Sequence, residues 1–198
     1  MRKILGVSRI LVALASLLMV VVFFVPFWQI QMWAPQYPEW LHMKIWLHKI
    51  TGDIDIINGL NHYIGMKYIK VEMFPEFKIM PYILAGIIGF GLITAIIGKI
   101  RMVWAFFIIL VLAGAAGLVD FYLWGYDYGH NLDPSAAIKV PGMSYQPPLI
   151  GTKELLNFIA YSAPDVGGFI LAVSGLLVAG VLGLEHYKNK PQIQKLKR

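Results

Sequence analysis

Four long apolar runs divide this chain and limit the folds it can adopt. They cover residues 10–27, 81–98, 102–124 and 166–184. At about 1.5 Å of rise per residue, a helix made from any of these runs crosses a hydrocarbon core of roughly 30 Å. Helices of water-soluble domains are usually shorter. The runs therefore predict four transmembrane helices.

Composition supports this prediction, because 58% of the 198 residues are hydrophobic and only 14% are charged. The first run follows a basic start, Arg2-Lys3, which is also typical of a cleaved signal peptide. The run is longer than the usual apolar core of about 7–15 residues, and no convincing small-x-small cleavage site precedes Pro26. We expect it to be retained, so that residues 1–198 form a single membrane domain.

Basic residues indicate the orientation, since Lys and Arg collect in cytoplasmic flanks. Most of the 17 Lys and Arg residues lie on one side of the predicted spans: Arg2, Lys3, Arg9, Lys99, Arg101, Lys188, Lys190, Lys195, Lys197 and Arg198. Both termini are therefore predicted to be cytoplasmic, with a tail over 185–198 whose basic part, Lys188 to Arg198, can contact anionic lipid. The connections 28–80 and 125–165 then face outward. The net charge of +6 follows from this topology and is not a nucleic-acid footprint.

The expected fold is an all-α integral membrane protein, a four-transmembrane-helix bundle whose two extracytoplasmic loops form a small cap. Small residues recur at helical spacing in the spans and allow close helix contact. Within the loops we expect helices over 55–66 and 151–160, and a short strand or interfacial segment over 41–50. Aromatic residues near the outward ends are typical of an interfacial belt: Trp28, Trp33, Trp40, Trp46 and Trp124.

Several functions are disfavoured. The chain has no cysteine, which excludes thiol–disulfide exchange and cysteine-ligated zinc, iron–sulfur and c-type haem sites. No histidine lies within a span to hold a transmembrane haem, and no nucleotide-binding glycine motif is present. We find no supported pair of nucleophile and base, so we predict no catalytic residues and no enzymatic activity. A transporter is disfavoured because the spans lack polar residues at mid-depth.

Metal-capable side chains collect in the outward loops. On the helix predicted over 55–66, a four-residue spacing places Asn58, His62 and Met66 on one face. Asp127 and His130 follow the third span directly. We predict that His62, Met66, Asp127 and His130 hold copper, which imidazole and thioether ligands suit. The alternative is that the histidines are hydrogen-bonded structural groups and that the methionines fill gaps.

Three loop phrases carry a resemblance to a known family. They are Ala34-Pro-Gln-Tyr-Pro, Ile57-Asn-Gly-Leu-Asn-His-Tyr-Ile-Gly-Met66 and Asp120-Phe-Tyr-Leu-Trp-Gly-Tyr-Asp-Tyr-Gly-His130. The chain resembles the four-span bacterial membrane proteins encoded beside nitrous-oxide reductase and its maturation factors, the NosB-like accessory proteins. The resemblance covers nearly the whole chain but includes no catalytic signature.

The resemblance implies a role in denitrification at the periplasmic face of a bacterial inner membrane. There the protein would assist copper-site assembly in, or electron supply to, a copper enzyme such as nitrous-oxide reductase. A second hypothesis is a noncatalytic scaffold or subunit whose loops dock a periplasmic or membrane protein partner. The sequence alone leaves both open, together with the identity of any bound metal.

Overall fold

The computed structural model describes residues 2–140 and 142–196, with side chains as far as residue 188. Four of its helices are long and apolar enough to cross a membrane, by length and composition. Each corresponds to one of the four apolar runs. The helices are α1 (Gly6–Leu18, continued by a 3-10 segment, Met19–Phe23), the short α2 (Ile54–Ile64), α3 (Glu76–Ile97), α4 (Ile100–His130) and α5 (Val166–Leu196).

The connections between the long helices form a five-stranded antiparallel sheet, so the prediction of an all-α fold is wrong. The strand order is β3-β2-β1-β5-β4, and the fold combines α and β structure. Residues 28–80 supply three strands and residues 125–165 supply two. The strands are β1 (Trp28–Trp33), β2 (Leu41–Ile45), β3 (Ile50–Gly52), β4 (Gly151–Leu155) and β5 (Phe158–Pro164).

The central strand β1 shows why the sheet forms. Its residues alternate between apolar and polar, the period of a strand with one buried face. Trp28 and Ile30 are buried, whereas the amides of Gln29 and Gln31 bond to each other at 3.0 Å on the opposite face. Trp28 was expected in an interfacial belt but lies in the core of the sheet because β1 pairs with β2 and β5.

Two further predictions about the connections have different outcomes. The helix predicted over 55–66 is confirmed as α2. The helix predicted over 151–160 is wrong, because this segment forms β4 and the start of β5. A two-residue turn joins these strands, and Leu156 within it has a φ of 61°. Glycine or asparagine usually occupies such a position, so the turn lacks its common sequence signal.

Strands β1 and β5 are joined to the long helices by very short connections. Only Asp165 separates β5 from α5, and its N–H donates to the carbonyl of Phe27 at 3.1 Å. The N–H of Gly167 donates to the carbonyl of Pro26 at 2.9 Å. The sheet therefore sits on one end of the bundle. We call the strands, α2 and the connections in 28–75 and 131–165 the sheet domain.

The bundle has a core of its own, in which α1 packs against α3 on one side and α5 on the other. Val12, Met19, Phe106 and Val178 are fully buried there. Helix α4 joins this core only near its N-terminus, and its C-terminal end packs against the sheet domain. Among its residues from 107 to 124, none is fully buried. This long apolar stretch suits contact with lipid or another helix.

A polar cluster closes the end of the bundle away from the sheet. Glu185 is buried, with 3% of its surface exposed, and accepts hydrogen bonds from the Ser8 hydroxyl at 2.7 Å and the Leu5 N–H at 2.8 Å. Its other carboxylate oxygen lies 2.8 Å from the Arg2 guanidinium. The Arg9 guanidinium donates to the carbonyl of Ala95, near the end of α3, at 2.9 Å. These bonds fix the start of α1 against α3 and α5.

Candidate functional site

Helix α2 and the segment after it form one side of the candidate site. The helix ends at Gly65, whose φ of 81° is the left-handed conformation that glycine adopts easily. Beyond it the chain turns back along α2. There the buried Asn58 side chain accepts from the N–H of Ile69 at 2.7 Å and donates to its carbonyl at 3.1 Å. These two bonds fix the segment that carries Met66 and Lys67.

The C-terminal end of α4 forms the other side. Asp127 and His130, expected in a loop, lie in its last turn. The Asp127 carboxylate accepts from the Lys67 ammonium at 2.5 Å and also from the Asn131 amide. The hydroxyl of Tyr128 donates to the carbonyl of Tyr68 at 3.1 Å. These contacts place the C-terminal end of α4 beside the segment that follows α2.

The two histidines have different surroundings. The His130 ring stacks on Tyr126 with centroids 3.9 Å apart, and its Nδ1 lies 2.9 Å from the carbonyl of Tyr126. If Nδ1 donates to this carbonyl, Nε2 is left for a ligand, a common arrangement in metal-binding histidines. His62 is exposed, and its ring lies near that of Tyr68, with centroids 6.0 Å apart.

An acidic residue of the neighbouring connection lies near His62. Hydrogen bonds from the Ser135 hydroxyl and N–H lower the pKa of Asp133, with smaller contributions from the charges of His62 and Lys139. The N–H of Asp133 donates to the carbonyl of Gly65 at 2.8 Å. The sequence did not suggest this electrostatic interaction between Asp133 and His62.

Together, the structure brings the segments that carry the four predicted copper ligands side by side but gives each ligand its own contacts. Asp127 pairs with Lys67, His130 stacks on Tyr126, His62 is exposed, and Met66 is half-buried against the core of the sheet domain. Within residues 2–140 and 142–188, no group of three or more His, Cys, Asp or Glu side chains is arranged to hold a metal ion.

A small cavity lies between the sheet domain and the C-terminal end of α4, and has room for about 50 Å³. Met32 of β1, Met43 of β2 and Met66 all line it, together with Trp124, Tyr128 and Tyr145. Sequence reasoning did not identify Met32, Met43 or Tyr145. The available signal was the alternation of β1 and β2, which places Met32 and Met43 on the buried face.

No known family model and no curated protein matches this chain. The class of the protein is therefore described from its fold and site alone. The protein combines four helices long and apolar enough to span a membrane with a five-stranded antiparallel sheet at one end of the bundle. The resemblance to the NosB-like proteins stays a prediction.

Proposed function

We propose that this chain is a membrane accessory protein whose sheet domain acts on a partner at the periplasmic face of a bacterial inner membrane. The observation that carries the proposal is the construction of the sheet domain. Both long connections build one sheet, and its central strands continue into α1 and α5. Such a domain presents a folded surface at a fixed position above the lipid.

The proposed orientation rests on charge. Arg2, Lys3 and Arg9 lie beside the turn between α3 and α4, where Lys3 and Lys99 form an isolated β-bridge. Because basic flanks resist translocation, this end is assigned to the cytoplasm and the sheet domain to the periplasm. Both termini are then cytoplasmic.

Reporter fusions test this orientation. A fusion at Leu132, in the sheet domain, is expected to give an external signal, and one at Arg198 an internal signal. A pair of reporters active on opposite sides of the membrane, each fused at both positions, provides the control. An internal signal at Leu132 would contradict the proposed site of action.

The partner we propose is a copper enzyme such as nitrous-oxide reductase, with the chain assisting its maturation or electron supply. The resemblance supplies the enzyme class. The residues add two imidazoles near the surface and three methionines around one cavity, both of which are copper-capable groups. This is the copper-handling form of the proposal.

The second form is a noncatalytic scaffold. Asp127 already pairs with Lys67, and the ring of His130 already stacks on that of Tyr126. These contacts favour the scaffold form. In this form the sheet domain only docks its partner, and no metal takes part.

Metal analysis of the protein extracted from membranes separates the two forms. Copper near one equivalent is expected for the copper-handling form, and copper-free protein with a co-purifying periplasmic partner for the scaffold. A variant carrying His62→Ala and His130→Ala shows whether the imidazoles hold the metal. Copper-free protein that never retains a partner would contradict both forms.

A further inference from the structure

Three of the side chains that line the cavity are methionines, whose thioethers suit soft metals such as Cu(I). Of the nine methionines in the chain, Met32, Met43 and Met66 line this one space of about 50 Å³. We propose that the cavity binds Cu(I) through the three thioethers. This inference rests on the copper-handling form of the proposed function and assigns that function a different ligand set.

The three methionines reach the cavity from separate segments held in fixed positions. In the register of β1 and β2, Met43 is opposite Ile30 and Met32 is opposite Leu41, so the two methionines are diagonal neighbours on one face. Met66 comes from the chain after α2, where its N–H donates to the carbonyl of Asn61 at 2.9 Å. Folding alone therefore brings the three side chains to one space.

The remaining lining also suits a monovalent cation. The rings of Trp124 and Tyr128, whose centroids are 4.8 Å apart, border the cavity, and aromatic faces attract cations. Tyr145, which is 2% exposed, also lines the cavity.

The volume and polarity of the cavity limit the ligands that it can bind. Organic ligands occupy pockets of roughly 300–1,000 Å³, far more than this space. A water molecule would fit but needs about two to four polar partners, and the wall is almost entirely apolar. A soft ion fits both the volume and the donors.

The test uses the purified full chain in detergent, titrated anaerobically with Cu(I) against a competing chelator. The triple variant Met32→Leu, Met43→Leu and Met66→Leu keeps the side-chain volume nearly unchanged, so the fold should tolerate it. Its affinity for Cu(I) is expected to fall by more than the roughly 10- to 100-fold that loss of an outer partner of a metal ligand costs. X-ray absorption of the wild-type complex should show sulfur donors.

The matched control is Met19→Leu, a fully buried methionine of the bundle, which should leave the affinity unchanged. Thermal melting of each variant verifies that it is folded. Wild-type affinity in a folded triple variant would overturn the cavity site. If the His62→Ala, His130→Ala variant then loses Cu(I), copper handling stands with the imidazoles as ligands. A wild-type chain that binds no Cu(I) overturns both the cavity site and the copper-handling form, leaving the scaffold.

Discussion

Replacing Glu185 with alanine should lower the free energy of unfolding by about 2–3 kcal/mol, since hydrogen bonds to a charged group are among the stronger ones. The variant leaves the Leu5 N–H and Ser8 hydroxyl without their acceptor and removes the carboxylate partner of Arg2, whose guanidinium keeps its bond to the main-chain carbonyl of residue 185. Arg2 is 39% exposed, so water can solvate it, which keeps the loss below that of a fully buried ion pair. For a chain of this size the melting temperature should fall by roughly 5–10 °C.

Glu185→Gln separates the two parts of this effect. The amide oxygen can still accept from Leu5 and Ser8, but the charge opposite Arg2 is lost, so a smaller decrease is expected. Glu39→Ala, at an exposed position, is the control and should melt with the wild type. Thermal unfolding in detergent, followed by circular dichroism, provides the measurement. An unchanged melting temperature for Glu185→Ala would show that the polar cluster does not stabilise the bundle.

Replacing Trp28 with alanine should have the larger effect, about 3–5 kcal/mol, as is usual for a buried aromatic side chain. Trp28 is 8% exposed, and its ring centroid lies 5.3 Å from that of Phe121 on α4. Its indole N–H donates to the Ser162 hydroxyl at 2.9 Å. The side chain thus connects the sheet to α4, and its loss leaves a cavity between them.

Trp28→Phe distinguishes packing from hydrogen bonding. Phenylalanine keeps most of the apolar contact but cannot donate to Ser162, so a decrease of about 1 kcal/mol is expected. Trp40→Ala, at a side chain 40% exposed, controls for loss of a surface tryptophan. Equal melting temperatures for Trp28→Ala and Trp40→Ala would contradict the buried role of Trp28.

The four long helices could be predicted because their signal is local. Twenty consecutive apolar residues indicate a span whatever the rest of the chain does. The sheet could not be predicted in the same way, because strand pairing joins distant segments. Trp28 is opposite Pro164 in the register of β1 and β5. The alternation in β1 was present in the sequence, but its tryptophans were interpreted as an interfacial belt.

The candidate site shows the same limit. Residues able to bind copper are visible in the sequence, but their neighbours are not. Lys67 pairs with Asp127 across 60 positions, and Met32, Met43 and Met66 share a cavity only because β1, β2 and the end of α2 pack together. The spacing of Asn58, His62 and Met66 suggested one helical face, but Gly65 ends the helix before Met66. The sequence therefore predicted which residues could bind copper, but not which of their side chains lie close together.

The short junctions between the central strands and the long helices have a mechanical consequence. Because β1 and β5 are hydrogen-bonded neighbours, a change in tilt between α1 and α5 must shear the ladder between these strands or rotate the sheet as a whole. The connections between these strands and helices are too short to absorb the motion. A partner protein bound to the sheet would therefore also resist tilting of α1 and α5. Forces generated within the bilayer would reach that partner through the backbone of the two helices and strands.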